Sequence, residues 1–204
     1  AILPGGRLLW HESFKPVGQP SAEGGVLDLR GMDMEQIRTL TLDGEWEFFS
    51  GVFLMTGDAA RETPVREAAA RDARIVRVPG KWDDAMRPGK PTPYGYGSYR
   101  LRILLDPGDT RIYSLYVPSV RSSSKLYVNG ALLHTSGRPA PDSGSHLPVN
   151  KPYTAAFTAD DSGVVEIVFE AANYSDPRGG GLVRSLKFGL NEALQQSRYL
   201  SIAM

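Results

Sequence analysis

Aromatic and polar side chains in three predicted loops are the residues of this sequence best suited to chemistry. Trp82 lies in the first loop, Tyr94 and Tyr96 in the second, and Asn173 and Tyr174 in the third. Aromatic faces stack against the C–H faces of sugars, while amide and guanidinium groups form directional bonds to hydroxyls. The combination predicts a site for a carbohydrate or another small polar ligand. With two arginines, the predicted ligand-binding set is Trp82, Tyr94, Tyr96, Arg121, Asn173, Tyr174 and Arg178.

Core packing is the alternative interpretation of these aromatic residues. A β-sandwich needs large side chains to close its ends, so Trp82, Tyr96 and Tyr174 fit either role and both interpretations stay open here. Three other aromatic residues lie inside strand patterns and are predicted to be core: Trp46, Tyr99 and Phe169.

Motifs for catalysis are missing from the sequence. It contains no Gly-x-Ser-x-Gly elbow, no His-Glu-x-x-His pair and no phosphate loop ending in Gly-Lys-Ser. The glycine run at residues 179–181 lacks a following lysine and a helix signal, so it is predicted to be a tight loop before the last strand. We therefore expect the chain not to be an enzyme.

Metal ligands are also not arranged in a recognisable pattern. No two of the histidines His11, His134 and His146 are two or four residues apart, so they are predicted to be surface or loop residues. The acidic pairs at residues 83–84 and 160–161 lack the alternating ligands of a calcium loop and are predicted to be turn and helix-cap carboxylates. The sequence predicts no metal and no cofactor.

Composition excludes several classes of function. The 204 residues are 41% hydrophobic and 23% charged, which fits a single domain with a sizeable core. Lys plus Arg and Asp plus Glu number 23 each, and this balance argues against nucleic acid as a partner. The sequence has no cysteine, which excludes disulfides, thiolate nucleophiles and cysteine zinc sites. No apolar run approaches the roughly 18 residues of a membrane span.

Short strands separated by turn residues dominate the pattern. Strands are predicted at residues 41–49, 75–78, 99–105, 112–117, 126–128, 131–133, 165–169 and 182–188. Asn129-Gly130 between two apolar runs predicts a hairpin with a type I′ turn, because both residues tolerate positive φ. A surface insertion is predicted at residues 58–74, and a helix that Asn191 can cap at residues 191–204. The spacing of strands and turns favours an all-β jelly-roll sandwich.

Five motifs occur in a fixed order along the chain, at residues 42–48, 78–82, 94–101, 126–130 and 173–174. They resemble the galactose-binding-like jelly roll that serves as the sugar-binding domain of β-galactosidase- and β-glucuronidase-type glycosidases. They are more similar still to the extracellular domain of bacterial seven-transmembrane receptors with diverse intracellular signalling modules, in which a segment like residues 189–194 leads into the first membrane helix. The resemblance covers about residues 27–198.

The resemblance implies a non-catalytic, extracytoplasmic sensor domain for a carbohydrate-like ligand, tethered to membrane helices outside this chain. On that basis residues 1–204 form one domain, with a core at about 27–190 and an exit segment at 191–204 that leads toward the membrane. Both chain ends are expected to be boundaries within a longer protein. Two alternatives stay open: a carbohydrate-binding module of a secreted glycosidase, and a protein–protein interaction domain that could form a homodimer.

Overall fold

Two β-sheets pack against each other as a sandwich in the computed structural model, which describes residues 19–56 and 72–202. Within these ranges the larger sheet contains seven strands: β1 (Val26–Asp28), β3 (Gly44–Ser50), β4 (Arg74–Val78), β5 (Gly95–Leu104), β7 (Ser123–Val128), β8 (Ala131–Ser136) and β10 (Val164–Asn173). The smaller sheet contains β2 (Thr39–Thr41), β6 (Ile112–Val117), β9 (Tyr153–Thr158) and β11 (Lys187–Leu190). The helices are α1 (Met34–Ile37), α2 (Asp83–Met86) and α3 (Asn191–Ile202).

The larger sheet has the strand order β4-β3-β5-β10-β7-β8, and β1 pairs in parallel with β5. The smaller sheet has the order β2-β11-β6-β9. All the neighbours on these two paths are antiparallel. The predicted all-β sandwich is confirmed.

The core lies between the sheets and is formed by one face of the two central strands, and Val168 and Glu170 on the other face of β10 are buried too. Leu101 and Ile103 on β5, with Ile167 and Phe169 on β10, are fully buried. Arg100 lies between the buried positions of β5, on the opposite face of the sheet. It forms an ion pair with Glu47, with 2.7 Å between Arg100 Nε and Glu47 Oε2. Full burial of one such apolar side chain contributes about 1.5–3 kcal/mol. The aromatic residues predicted as core, Trp46, Tyr99 and Phe169, are all buried.

The predicted hairpin is confirmed. Asn129 and Gly130 have φ of 46° and 82°, and they connect β7 to β8. The side-chain amide of Asn129 also donates to the backbone oxygen of Val164 at 3.3 Å, while its oxygen accepts from the backbone N–H of Glu166 at 2.7 Å. The turn is therefore fastened to β10 as well as to its own two strands.

Two predicted strands differ from the structure. The segment predicted as one strand at 41–49 divides into β2 and β3, which belong to different sheets; Gly44 has φ of 132°, and a Cβ there would lie 2.3 Å from the backbone oxygen of Ala22. The strand predicted at 182–188 begins only at Lys187 and continues to Leu190. Leu182 and Leu186 are buried, so their hydrophobicity reflects core packing of an irregular segment.

The helix predicted from Asn191 is confirmed as far as Ile202. Residues 203–204 lie outside the described part, and so do residues 58–71 of the predicted insertion; Arg74, its last predicted residue, opens β4. Within the described residues, no helix is both long enough and apolar enough to cross a membrane.

Candidate functional site

The predicted site residues lie mainly at one end of the sandwich, where β5 begins and β10 ends. Tyr96 and Asn173 were predicted in loops, but they lie at the start of β5 and the end of β10, where Gly95 is paired with Asn173 and Tyr96 with Ala172. The loops before β5 and after β10 are therefore neighbours. The backbone of Arg121 forms a two-way bridge with Gly181, which adds the loop between β6 and β7. We call residues 93–96, 121–122 and 173–181 the loop end.

Asn173 joins these loops through its side-chain amide. Its Nδ2 donates to the backbone oxygens of Pro93, at 2.9 Å, and Asp176, at 2.8 Å. Its Oδ1 accepts from the Ser122 hydroxyl at 3.0 Å and from the backbone N–H groups of Ser175 and Asp176 at 3.3 and 3.0 Å. The side chain is fully buried, and its two N–H groups are both used. Asn173 therefore holds the loop end together and is not free to contact a ligand.

Trp82 is also a packing residue. It is fully buried, with its ring 5.7 Å from that of Phe48 and stacked at 6.3 Å on Tyr99. Its indole N–H donates to the backbone oxygen of Pro93 at 3.0 Å. A Cβ on Gly180 would lie 2.2 Å from the indole nitrogen, so the glycine loop passes directly against this ring. Of the two interpretations of Trp82, core packing is the one that its position supports.

Tyr96 and Tyr174 are partly accessible, and each forms a ring pair with a residue that was not among the predicted site residues. The ring of Tyr96 lies 4.9 Å from that of Phe53, and the ring of Tyr174 lies 5.5 Å from that of His146 in an edge-on arrangement. All four are half-buried. Burial, and secondarily the neighbouring Tyr96 phenol, raise the pKa of Tyr174. We call Phe53, Tyr96, Tyr174 and His146 the aromatic row.

Hydrogen bonds fix one half of this row. The Tyr174 hydroxyl donates to the backbone oxygen of Pro141 at 2.5 Å, and Nε2 of His146 lies 3.3 Å from the Ser122 hydroxyl. Burial lowers the pKa of His146, which favours the neutral imidazole. Tyr94 precedes Tyr96 by two residues in the sequence and is 43% exposed. Rigid rings of this kind lose little conformational entropy when a ligand covers them.

Three charged residues belong to the same loop end as Tyr96 and Tyr174. Arg178 binds Asp176 with both Nε and Nη2, at 3.0 and 2.8 Å, and these bonds lower the pKa of Asp176 to about 2. The Arg178 side chain is still 75% exposed, whereas that of Arg121 is 23% exposed and lies 3.6 Å from Asp176 through its Nε. The loop end therefore carries guanidinium groups as well as the aromatic rings of Tyr96 and Tyr174.

In the described ranges, no group of three His, Asp or Glu side chains is arranged to hold a metal ion. The acidic pair at 83–84 lies in the first turn of α2, and Oδ1 of Asp160 accepts from the backbone N–H of Ser162 at 2.9 Å. These are the turn and helix-end positions expected from the sequence. The ring of His134 stacks on that of Tyr153, with 3.6 Å between their centroids.

Comparison with known proteins finds similarity in structure alone. No family model matches the chain, and no curated protein matches it. A Ruminococcus gnavus β-glucuronidase in complex with D-glucuronic acid has a TM-score of 0.52 at 18% identity, over 74% of this chain and 29% of that one. A Faecalibacterium prausnitzii β-glucuronidase has a TM-score of 0.50 at 20% identity, over 74% and 31%. The fold is a galactose-binding-like jelly roll.

The match to a GH2 β-galacturonidase from Eisenbergiella tayi bound to galacturonate is weaker, with a TM-score of 0.47 at 15% identity over 74% of this chain. The chain spans only 24–31% of the length of these three enzymes. What this chain shares with the two β-glucuronidases is a fold over a minor part of each enzyme.

Proposed function

We propose that this chain is a non-catalytic carbohydrate-binding module of a larger protein. The observation that carries the proposal is the aromatic row beside Arg121 and Arg178, at the loop end of a galactose-binding-like jelly roll. A pyranose ring resting on Tyr96 or Tyr174 places its hydroxyls within reach of the neighbouring phenol, imidazole and guanidinium groups. This is the pairing of stacking and directional hydrogen bonds that sugar recognition requires.

A monosaccharide on this surface binds weakly. Its hydroxyls exchange bonds with water for bonds with protein, and an open surface removes little apolar area from water. The affinity is expected to increase with chain length as further sugar units reach Tyr94 or Phe53. An oligosaccharide is therefore the better probe.

The environments of two carboxylates, Asp176 and Glu170, support a non-catalytic role for these residues. A glycosidase acid needs a raised pKa and a partner across a cleft. Asp176 has its pKa lowered to about 2 by Arg178, so it stays ionised at neutral pH. Glu170 is fully buried, and its Oε1 accepts from the backbone N–H groups of Met55 and Thr56 at 2.7 Å each. Both carboxylates therefore accept hydrogen bonds from loop residues of the protein itself.

The similar enzymes favour a glycosidase setting for this module over a receptor setting. They are named as β-glucuronidases, and the chain corresponds to less than a third of each. A catalytic domain elsewhere in the polypeptide is therefore the first expectation. We separately propose that the chain lies outside the cytoplasm.

The second candidate is a sensor domain of a membrane receptor, which the docking of α3 favours. Ala193 and Leu194 are buried, and Asn191 accepts a hydrogen bond from Ser114 of β6 at 2.7 Å. A helix fixed in this way could pass a displacement of the sandwich to a following segment. The residues that follow Met204 in the full protein decide between the two, because one predicts a catalytic domain and the other a membrane helix.

Calorimetric titration with neutral and uronic-acid oligosaccharides tests the proposal. Saturable binding that falls at least about tenfold in Tyr96→Ala and Tyr174→Ala, because stacking area is lost, supports it. Tyr116→Ala is the matched control, since Tyr116 is also half-buried but lies on β6 of the smaller sheet. Equal loss in the control, or no binding by any oligosaccharide at millimolar concentration, would contradict the proposal.

A further inference from the structure

A basic groove runs beside β4, the edge strand of the larger sheet. Its volume is about 390 Å³, and one of its walls is the single-turn helix α2. Within the described residues β4 pairs only with β3, and none of the other backbone hydrogen bonds recorded there involves its residues. Alternate residues of an antiparallel edge strand direct their N–H and C=O groups away from their partner. This edge can therefore accept another strand.

Charge distinguishes the groove from an ordinary edge. Arg74, Arg77 and Lys81 line it, and Asp84 is the one carboxylate among its lining residues. Arg74 Nη1 donates to the backbone oxygen of Ala85 at 2.8 Å, which fixes this guanidinium against α2. The side chains of Arg77 and Lys81 form no ion pair or hydrogen bond within the described ranges. Two cations are therefore available to an incoming ligand.

The apolar surface of the groove supports the same conclusion. Ile75 is 51% exposed on β4, and Ala85 and Pro88 line the opposite wall. Basic side chains alone are a common protection of edge strands against aggregation. The exposed Ile75 would increase the risk of aggregation, so protection does not explain this edge. An edge strand with a helix beside it, and with apolar side chains to contact, is suited to the addition of a further strand.

We infer that the groove binds an extended acidic peptide segment, which adds to β4 as a further strand. Backbone hydrogen bonds to β4 would supply affinity, and carboxylates opposite Arg77 and Lys81 would supply selectivity. The occupant is an acidic segment of a separate partner protein. The inference is independent of the carbohydrate proposal, because Phe53, Tyr96, Tyr174 and His146 do not line the groove.

The test uses synthetic eight-residue peptides and fluorescence anisotropy. A peptide of alternating Glu and Val should bind, and a peptide of alternating Lys and Val should not. Methylation of alternate backbone nitrogens in the acidic peptide removes strand hydrogen bonds without changing its charge, so it should abolish binding. Equal binding of the methylated peptide would show simple charge attraction and overturn the inference.

Charge reversal in the protein locates the site. Arg77→Glu and Lys81→Glu should each weaken binding of the acidic peptide by about tenfold. Arg102→Glu is the matched control, because Arg102 is an exposed cation on β5 outside the groove. A loss in Arg102→Glu equal to that in Arg77→Glu, or no loss in either groove variant while thermal unfolding shows that they are folded, would contradict the inference.

Discussion

The two ends of the sandwich are held together by different interactions. At the loop end, the buried amide of Asn173 satisfies backbone groups from several loops. At the opposite end, where β5 finishes and β11 meets the start of β6, an aromatic stack is combined with an ion pair. Tyr113 stacks on Phe188 at 5.0 Å, and its hydroxyl donates to Asp109, which also binds Arg111. We call this second region, residues 104–113 and 189–196, the exit end. The Asn173 amide connects irregular loops that can face a ligand, whereas the contacts at the exit end fasten regular strands and α3 to the core.

The separation of the two ends bears on the receptor hypothesis. β5 runs from the loop end at Gly95 to the exit end at Leu104, and a strand of that length spans roughly 30 Å. A ligand on the aromatic row can move α3 only if the intervening sandwich has two arrangements with different affinity for it. A densely packed core resists small continuous deformation. This favours a binding module over a switch.

Asn173→Ala should give the largest effect and remove the difference between the ends. It leaves the Pro93 and Asp176 backbone oxygens and two backbone N–H groups without their partner, and the free energy of unfolding should fall by about 3 kcal/mol or more. Oligosaccharide binding should be lost with it. Urea unfolding measures the stability change. Asn150→Ala is the control, since Asn150 is exposed and its loss should stay below about 1 kcal/mol.

Leu194→Ala tests the exit end alone. Removal of this buried side chain should lower the free energy of unfolding by about 2–3 kcal/mol, because a cavity replaces its contacts. Oligosaccharide affinity should stay within roughly twofold of the wild type, since α3 lies at the far end of the sandwich. A large change in affinity with the loop end still folded would favour the receptor hypothesis.

Gly180→Ala sharpens the role of Trp82. The added methyl group would lie 2.2 Å from the indole nitrogen, so the loop or the ring must shift, at a cost of about 1–3 kcal/mol. Gly108→Ala is a useful control because a Cβ there has nothing within 4 Å, although its φ of 75° adds backbone strain. Thermal unfolding compares the two. If Gly180→Ala were as stable as the wild type, the tight packing of the glycine loop on Trp82 would be wrong.

The pH dependence of Asp176 should be the smallest effect. Its bonds to Arg178 lower the pKa from 3.8 to about 2, so its contribution to stability is complete above about pH 4 and is lost as the pH falls toward 2. The pair is largely exposed on the Arg178 side, which limits the contribution to less than about 1 kcal/mol. The difference in unfolding free energy between wild type and Asp176→Asn, measured across this range, should shrink as the pH falls. A difference that grows instead would contradict the assigned pKa.

Strands with clear punctuation could be predicted from the sequence. β6 was predicted with its observed bounds, because a Pro-Gly turn precedes it and its residues are apolar or aromatic. β9 was missed, since its Ala and Thr residues give neither alternation nor strong hydrophobicity. The irregular segment at 182–186 was mistaken for strand, because burial between two sheets selects the same residue types as a strand does.

The candidate site could be predicted only in part, because some of its residues are far apart in the sequence and meet only in the folded protein. Tyr96 and Tyr174 were predicted from loop position, but Phe53 and His146 join them through tertiary contacts that no local pattern marks. Trp82 and Asn173 have side chains suited to sugar binding, and the structure uses both to build the loop end. Composition of a loop indicates where a site lies, whereas burial decides which side chains can reach a ligand.

Nitrogen–proton correlation spectra recorded during titration with an oligosaccharide of uronic acid or neutral sugars test the carbohydrate-binding claim most directly. We expect saturable shifts at residues 53, 94–96, 121–122, 146 and 173–178, with the exit end unchanged. Shifts that centre on α3 or on the groove beside β4, or no shift up to about 10 mM of any oligosaccharide, would contradict it.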